Sequence, residues 1–442
     1  MRRIITGTTC LLLTLMCLGS ASAQEKSITV GWAAWDPANA LMELSKDFTK
    51  KTGIQVHGEF IPWPQFQQKV FTVLNSHGDT FDVLIGDSQW IGSGAEYGHY
   101  VELSQFFKNN GIDLKKDFAA GPVHYYAQWP KGSDHYWGLP TEGDAVGWTY
   151  RKDWFAKPEL KKAFKQKYGY ELAPPKTWKQ LKDIGEFFQG RTIDGKKVYG
   201  MAIYTKRPGD GISQGVLSAM WSWGVSMHAP DDPYDLQGYF NSDEAVDALK
   251  FYKSLYDCCV PPGSGDNYME ADLDAYTSGQ VAMAMNFFAF FPGISRNPNV
   301  GDVTGYFVTP GHDGHHGTQL GGQGMSVVSY SNKKKWAKEY VKWFSQPEVQ
   351  KKWWELGGYS TRKSVLNDPG FDDSEPYAKA FKESMKIVKD FWETPNYGEL
   401  LDTAQRHFNQ YIVGGQGTAK EALDAIVRDW HDSFEALGKY DN

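Results

Sequence analysis

The chain has 442 residues, with 46 Lys and Arg against 53 Asp and Glu, which gives a formal net charge of −7. An acidic chain without a basic patch argues against nucleic acids and anionic membrane surfaces as partners. The length predicts two or three domain-sized units. Aromatic residues are abundant, and 17 of them are Trp.

The N-terminus has the pattern of a secretory signal peptide. Arg2 and Arg3 precede an apolar stretch at 4–18, and the small residues at 21–23 form a cleavage signal. The apolar stretch is too short for a transmembrane helix. We therefore expect residues 1–23 to be removed and the rest of the chain to be exported as a soluble protein.

Two of the four cysteines lie in this predicted signal peptide. The remaining pair, Cys258 and Cys259, excludes a long-range disulfide framework within one mature chain. The pair is compatible with two thiols near the end of a helix and with a disulfide between sequence neighbours, and the pattern does not decide between them. Neither arrangement predicts catalysis.

Strands and helices alternate over the first hundred residues after the signal peptide. Asp36 fits the N-cap of the first helix, and the pair Thr52-Gly53 ends its apolar repeat. The resulting βαβαβ pattern predicts a mainly parallel sheet with right-handed crossovers. The strands are predicted at SITVGWA (27–33), IQVHGEF (54–60) and FDVLIG (81–86), and the helices at 36–52 and 64–78.

Three loops follow these strands, and ligands bind at the carboxyl ends of the strands in such sheets. The loops are GWAAWD (31–36), IPWP (61–64) and GDSQW (86–90), and each contains at least one Trp. A single Trp after a strand is typical of packing, whereas three at one sheet edge indicate a binding surface. The predicted ligand-binding residues in these loops are Trp35, Asp36, Trp63, Asp87, Ser88, Gln89 and Trp90.

A second region of strands and helices follows a Gly-rich interruption at 136–155. Its pattern predicts further strands and amphipathic helices, including one long Lys-rich helix at 331–356. The strands are predicted at 198–205, 278–288, 302–310 and 324–330, and the other helices at 176–190, 241–259 and 418–434.

Four segments in this region resemble a known protein family. The segments GLPTEGDAVGWTYRKDWF (138–155), AYTSGQVAMAMN (275–286), LGGQGMSVVSYSNKKKW (320–336) and GGYSTRKSVLNDP (357–369) have the order and spacing found in the family 1 extracellular solute-binding proteins of bacterial ABC importers. That family includes the maltose-binding type. The resemblance extends over about residues 28–435, although Thr361 stands where the family usually has Pro.

The resemblance implies an α/β, two-lobe periplasmic binding protein fold (type II). Each lobe would be a mainly parallel sheet flanked by helices, with the ligand cleft between the lobes. Three crossover segments would divide the chain into an N-terminal lobe of residues 26–142 and 326–358 and a C-terminal lobe of residues 143–325 and 359–442.

The resemblance also suggests ligand-binding residues on the opposite side of the cleft. Asp144 matches a ligand-binding carboxylate position of the maltose-binding type, and Glu142 lies beside it. Packing on a helix face is an equal alternative for Trp221 and Trp223. The expected residues of this side are Glu142, Asp144, Trp221, Trp223, Asn286, Phe287, Gly322, Gln323, Tyr359 and Arg362.

Sugars combine hydroxyl groups with apolar ring faces, and a matching site needs aromatic faces together with carboxylates, amides or Arg. The predicted residues supply this mixture. We therefore expect a periplasmic, monomeric binding protein that delivers a carbohydrate or polyol to an inner-membrane ABC permease, without a cofactor, a metal or catalysis. The expected mechanism is closure of the lobes on the ligand. A non-sugar aromatic or anionic small molecule is the alternative ligand.

Three other patterns point to enzymes or metals, and the surrounding sequence favours a simpler reading of each. GISQG (211–215) matches a nucleophile elbow, but a Pro-Gly turn precedes it where an elbow needs a strand. Glu142 and Asp144 could serve a carbohydrate-active hydrolase, and binding of sugar hydroxyls is the simpler account. GHDGHHG (311–317) could bind a metal, whereas its Gly and Asp favour a solvated turn.

Overall fold

The computed structural model describes residues 26–207 and 209–440. The predicted signal peptide, residues 1–23, lies outside these described residues. The strands are β1 (Ser27–Ala33), β2 (Gln55–Ile61), β3 (Val83–Asp87), β4 (Leu139–Glu142), β5 (Val146–Arg151), β6 (Thr192–Ile193), β7 (Lys196–Lys197), β8 (Tyr199–Ala202), β9 (Val281–Phe287), β10 (Thr304–Val308), β11 (Thr318–Gln319), β12 (Gln323–Val327) and β13 (Val388–Lys389).

Helices surround these strands. They are α1 (Asp36–Thr52), α2 (Trp63–Asn75), α3 (Ile91–Glu96), α4 (Ser104–Asn109), α5 (Leu114–Asp117), α6 (Ala120–Tyr126), α7 (Lys152–Ala156), α8 (Pro158–Tyr168), α9 (Trp178–Phe188), α10 (Gly211–Ser222), α11 (Asp243–Cys259), α12 (Met269–Thr277), α13 (Phe291–Ser295), α14 (Lys334–Phe344), α15 (Pro347–Glu355), α16 (Lys363–Leu366), α17 (Ala378–Ser384), α18 (Tyr397–Ile412) and α19 (Ala419–Ala436). Within the described ranges, no helix is both long and apolar enough to cross a membrane.

The first sheet has five strands in the order β2-β1-β3-β12-β4. β1 pairs in parallel with β2 and β3, as the βαβαβ pattern predicts. β12 runs antiparallel to both of its neighbours, β3 and β4. Helices α1, α2 and α14 pack on this sheet.

The second sheet has four strands in the order β10-β5-β9-β8. β8 and β9 are parallel, while β5 runs antiparallel to β9 and to β10. Helices α9, α10, α11 and α12 pack against its strands, and α18 and α19 pack on α10 and α11. Every residue of β9 is buried, as its run of small and apolar residues predicts.

The prediction of mainly parallel sheets is therefore refined, because each sheet contains one reversed strand. β5 is the first strand after the chain leaves the first sheet at β4, and β12 is the strand with which the chain returns to the first sheet. When the chain passes from one sheet to the other, it enters the second sheet at the edge where the parallel strands of that sheet end. The entering strand must therefore run antiparallel to those strands. Its amino end lies at the edge that faces the other sheet.

Several local predictions are confirmed, and two are wrong. Gly53 ends α1 in a left-handed conformation with φ 72°. The N-cap of α1 is Trp35, and Asp36 is the first helical residue instead of the cap. The predicted Lys-rich helix is two helices, because Pro347 begins α15 and a Pro inside a helix would remove a backbone hydrogen bond.

The cysteine pair and the His-rich turn both lie outside the region between the sheets. Cys258 and Cys259 are joined by a disulfide at the end of α11. His312 pairs with His315 across a turn, and its ring stacks on Trp223 with the centroids 3.9 Å apart. The turn interpretation of this stretch is confirmed.

Candidate functional site

A cavity of about 280 Å³ lies between the two sheets. Its walls come from the carboxyl ends of the parallel strands and from the amino ends of the two reversed strands. The first-sheet side includes Ala33, Trp35, Trp63, Asp87, Gln89 and Gln323. The opposite side includes Asp144, Asp210, Gln214, Tyr268, Glu270, Phe287 and Phe290.

The loop after β1 presents Trp35 to the cavity. The ring of Trp35 packs edge-on against Trp32, with the centroids 5.5 Å apart. Trp32 is fully buried, and its indole N–H donates to Oε1 of Gln323. The indole N–H of Trp35 and the Nε2 of Gln323 are buried without a partner among the described residues. Two hydrogen-bond donors of residues in this wall are therefore unsatisfied.

The loop after β3 divides its side chains between the cavity and the protein interior. Oδ1 of Asp87 accepts a hydrogen bond from the backbone N–H of Gln89 at 3.0 Å and lies 3.2 Å from Oγ of Ser88. Asp87 and Gln89 line the cavity. Trp90 is buried between Phe66 and Phe71 with centroid distances of 5.2 and 5.4 Å, which is a packing position.

Burial raises the pKa of Asp87 well above its usual value. The nearby carboxylates of Asp390 and Asp210 raise this pKa further, while the hydrogen bonds from Gln89 and Ser88 lower it. A negative charge on Asp87 is therefore poorly stabilised by the protein alone.

Asp144 holds the corresponding place on the opposite side, in the connection between β4 and β5. Its Oδ1 accepts from the backbone N–H groups of Ala145 at 2.8 Å and Ala289 at 3.3 Å. Burial raises its pKa, and these backbone hydrogen bonds lower it. Phe287, at the end of β9, provides an apolar surface beside it.

Asp210, Gln214 and Tyr268 are among the lining residues on this side that were not predicted from the sequence. Tyr268 donates a hydrogen bond to Oδ1 of Asp210 at 2.8 Å, and the amide of Gln214 donates to Oδ2 at 3.2 Å. Oε1 of Gln214 is buried without a partner among the described residues. Asp210 has φ 63°, a left-handed conformation that Asp tolerates better than most residues.

Burial raises the pKa of Asp210 to about 7, and the hydrogen bonds from Tyr268 and Gln214 limit the increase. The signal in the sequence was the stretch DGISQG at 210–215. Its Gly and Ser suggest a nucleophile elbow, whereas the residues that line the cavity are Asp210 at its start and Gln214 within it. Ser213 lies in the first turn of α10 and donates to the backbone carbonyl of Asp210 at 2.6 Å.

Ten predicted residues lie outside the lining of the cavity. Four of them are near its walls but point elsewhere. Asp36 is exposed at the start of α1, and Ser88 donates to Asp390. Oε2 of Glu142 accepts from the backbone N–H of Tyr359 at 3.2 Å, and its carboxyl group is buried behind Asp144. Trp90 packs in the core, as described above.

Three more of these residues are held by hydrogen bonds or packing on the second-sheet side. The indole N–H of Trp221 donates to Gln319 at 2.9 Å. Trp223 stacks on His312, which is a packing contact within the protein. Asn286 donates to the carbonyl of Met269 at 2.9 Å.

The last three predicted residues support the chain between the sheets. A side chain at Gly322 would come within 1.8 Å of the hydroxyl of Tyr126, and only Gly allows this approach. The hydroxyl of Tyr359 donates to the carbonyl of Phe288 at 2.5 Å. Arg362 lies 3.3 Å from the carboxylate of Asp117. These three residues make contacts within the protein and lie outside the cavity lining.

The charge of the cavity has a single sign. Carboxylates of Asp87, Asp144, Asp210 and Glu270 line it, and no Lys, Arg or His does so within the described residues. Together with the aromatic and amide groups, this arrangement can accept many hydrogen bonds, donate a few, and cover apolar surface.

Comparisons with known proteins identify the family. Residues 34–351 match the family described as bacterial extracellular solute-binding protein. A relative from Sinorhizobium fredii, named a probable amino-acid ABC transporter periplasmic-binding protein, is 26% identical over 86% of this chain and 82% of its own length.

Two solved structures share the fold. The ABC transporter solute-binding protein of Agrobacterium radiobacter, in complex with ribitol, has a TM-score of 0.75 and 22% identity, and the match covers 92% of this chain and 99% of that one. Maltose-bound MalE3 of T. maritima has a TM-score of 0.75 and 22% identity over 91% of this chain and 98% of that one. The α/β two-lobe architecture expected from the sequence is thereby confirmed, and the chain belongs to the bacterial extracellular solute-binding protein family.

Proposed function

We propose that the protein is the periplasmic substrate-binding component of an ABC importer and that it holds a carbohydrate or polyol in the cavity between the sheets. One observation carries this proposal. Aromatic residues, and residues that have unpartnered hydrogen-bonding atoms, line one cavity from both sides. Hydroxyl groups both donate and accept hydrogen bonds, and sugar rings also have apolar faces.

The unpartnered atoms support this ligand class in detail. The indole N–H of Trp35 and the Nε2 of Gln323 can donate, while Oε1 of Gln214 can accept. Buried polar groups without partners are unfavourable, and a bound hydroxylated solute would satisfy them. The volume of about 280 Å³ is near the lower end for small-molecule sites and favours one sugar unit or a short polyol.

The alternative of an anionic ligand has less support. An anion would lie beside Asp87, Asp144 and Asp210 without a basic partner among the described lining residues. The same argument weakens a free amino acid, the ligand class in the name of the Sinorhizobium relative, because its carboxylate would also lack a partner. The structural relatives named for ribitol and maltose favour hydroxylated solutes.

Catalysis also has less support than binding. Glu142 is separated from the cavity lining, and it therefore does not form a pair of carboxylates with Asp144 around a common substrate. Ser213 donates to a backbone carbonyl in its own helix, where a nucleophile would need a general base. We therefore assign the protein a transport role without catalysis.

The proposed lobes follow the two sheets. The N-terminal lobe contains residues 26–142 and 323–358, and the C-terminal lobe contains the rest of the mature chain. The boundary before β12 moves from 326 to 323, because Gln323 already pairs with β3 and β4. A solute that contacts Asp87 on one lobe and Asp144 on the other would favour the closed arrangement, which is the form that a permease would recognise.

A thermal-shift assay of the mature protein against neutral sugars, polyols, organic acids and amino acids tests this function. We expect a subset of the sugars or polyols to raise the melting temperature, because binding at about 100 times Kd adds about 2.7 kcal/mol to the free energy of unfolding. A response to organic acids alone, or to nothing in the panel, would overturn the proposal. Chemical analysis of the best ligand after long incubation tests the transport assignment, and any turnover product would contradict it.

A further inference from the structure

The cavity is lined by several carboxyl groups and, within the described residues, by no basic side chain, and a neutral sugar would not require this excess of acidic groups. Among the lining carboxylates, those of Asp144 and Asp210 are buried and that of Asp87 is half-buried, and the charge of Asp390 also acts on Asp87. Lys131, a cation whose charge acts on Asp390, is already paired with Glu393 at 2.5 Å. The described part of the protein therefore provides no positive charge to the lining of the cavity.

Two acceptor atoms of lining residues lack a donor. Oδ1 of Asp87 accepts from the backbone N–H of Gln89, whereas its Oδ2 makes no hydrogen bond within the described residues. Gln214 is only 4% exposed, and its Oε1 has no partner there. An ionised carboxylate accepts hydrogen bonds and cannot donate them. These acceptors, and the carboxylates beside them, could receive hydrogen bonds from a cationic donor, which the described lining residues do not supply.

Aromatic rings complete the surroundings of these acceptors. Trp35 and Trp63 line the first-sheet side, and Tyr268, Phe287 and Phe290 line the opposite side. The face of an aromatic ring attracts a cation through its quadrupole, most strongly where water is excluded. Carboxylates combined with aromatic faces are suited to an ammonium group.

We infer that the transported solute carries a protonated amine in addition to its hydroxyl groups, as in an amino sugar or an amino polyol. This inference rests on the proposed function and specifies the solute class for the same cavity. An ammonium group has three donors and no acceptor, and it forms charge-assisted hydrogen bonds with carboxylates. Burial raises the pKa values of Asp87 and Asp144 in the free protein, and a bound cation would favour their ionised forms.

Matched pairs of probes test the inference by titration calorimetry at neutral pH. Each pair shares one carbon skeleton, with a hydroxyl in one member and a protonated amine in the other: glucose with glucosamine, and glucitol with 1-amino-1-deoxyglucitol. The N-acetyl derivative of each amine is a second neutral control, because it keeps the nitrogen without its charge. In at least one pair, we expect the amine to bind at least about tenfold more tightly than both neutral forms.

Charge-neutralising variants identify the source of this preference. Asp87→Asn and Asp144→Asn keep the shape and an acceptor oxygen but remove the charge. Either variant should reduce the ratio of amine to hydroxyl affinity by about tenfold. Asp79→Asn is the control, because Asp79 is exposed before β3 and outside the cavity lining, and it should leave the ratio unchanged.

The outcomes separate the inference from the proposed function. Neutral members that bind as tightly as the amines would overturn the inference and leave the proposed function intact. An unchanged ratio in both cavity variants would also overturn it, because the preference would not come from these carboxylates. Absence of binding by every member of every pair, charged and neutral, would overturn the inference and count against the proposed function as well.

Discussion

Ser88 Oγ donates a hydrogen bond to Oδ2 of Asp390 at 2.6 Å, and this contact connects the end of β3 to the segment that follows β13. The other oxygen of Asp390 accepts from the side-chain amide of Gln319 at 2.6 Å. Nearby, Lys131 and Glu393 form an ion pair at 2.5 Å. The segment after β13 thus joins the two sides of the molecule behind the cavity.

Removing Lys131 from its ion pair with Glu393 should destabilise the protein. Burial raises the pKa of Glu393, and Lys131 is the cation that opposes this effect. Lys131→Met leaves a buried carboxyl group unpaired, and we expect the free energy of unfolding in urea to fall by about 3 kcal/mol. The double variant Lys131→Met with Glu393→Gln should recover most of the loss.

The exposed pair between Lys115 and Asp134 provides the matched control for this experiment. Lys115→Met should leave the free energy of unfolding unchanged within error, because solvent screens an exposed pair. Equal losses in Lys131→Met and Lys115→Met would contradict a special role for the buried pair.

Asp87→Ala should affect ligand affinity more than stability. The variant loses a direct contact with the solute, and we expect Kd to rise at least about tenfold. The free energy of unfolding of the ligand-free protein should change by no more than about 1 kcal/mol, since loss of the hydrogen bonds is offset by removal of a desolvated carboxylate. Calorimetry and urea unfolding measure the two quantities. Asp36→Ala, exposed and outside the lining, should change neither.

Unfolding of the Asp87→Ala protein would show instead that the loop after β3 is held together by this carboxylate. A loss of affinity in Asp36→Ala equal to that in Asp87→Ala would restore the ligand role that the sequence suggested for Asp36.

Two Trp residues that looked equivalent in the sequence should respond differently to truncation. Trp90 is 2% exposed in the core, and Trp90→Ala should lower the free energy of unfolding by about 3–5 kcal/mol. Trp63 is half-buried at the cavity, and Trp63→Ala should mainly raise Kd, with a stability loss of about 1 kcal/mol. The reverse order of effects would contradict the placement of both side chains.

The ligand-free protein should lose stability as the pH rises toward neutrality. The pKa of Asp210 is raised from its usual 3.8 to about 7 in the folded protein. A group with a raised folded-state pKa binds its proton more tightly when folded, and its stabilising contribution is complete below 3.8 and is lost as the pH approaches about 7. Asp87 and Asp144, whose pKa values are also raised, act in the same direction.

The variant Asp210→Asn isolates the contribution of Asp210 to the pH dependence of the free energy of unfolding. As the pH rises across that range, the free energy of unfolding of the native protein should fall relative to that of the variant. The size of the fall follows from the pKa shift, because one pKa unit corresponds to about 1.4 kcal/mol. Urea unfolding at several pH values measures the difference. Parallel curves for the two proteins would show that Asp210 has an ordinary pKa.

The first-sheet side of the site could be predicted because its geometry is local. The loops after β1, β2 and β3 meet at one edge whenever three strands are parallel neighbours, and Trp35, Trp63 and Asp87 follow from that rule. The alternation of strands and helices also sufficed for the fold class. Even there, the direction of each side chain was not encoded locally, and Trp90 points into the core.

The opposite side depends on contacts that are distant in the sequence. Asp210 and Tyr268 are 58 positions apart and meet through one hydrogen bond. No spacing rule connects a residue in a turn before α10 with one at the start of α12. Tyr359 and Arg362 show the converse, because their polar groups suggested ligand contacts while distant backbone carbonyls and Asp117 already occupy them.

The most direct test of the account compares two Gln residues, one from each side of the cavity. Gln89 and Gln214 both line it and are both nearly buried. For the best ligand of the panel, we expect Gln89→Ala and Gln214→Ala each to raise the calorimetric Kd by about tenfold, while Gln68→Ala, exposed on α2, leaves it unchanged. A loss confined to one side, or absent from both, would contradict a solute held between the two sheets.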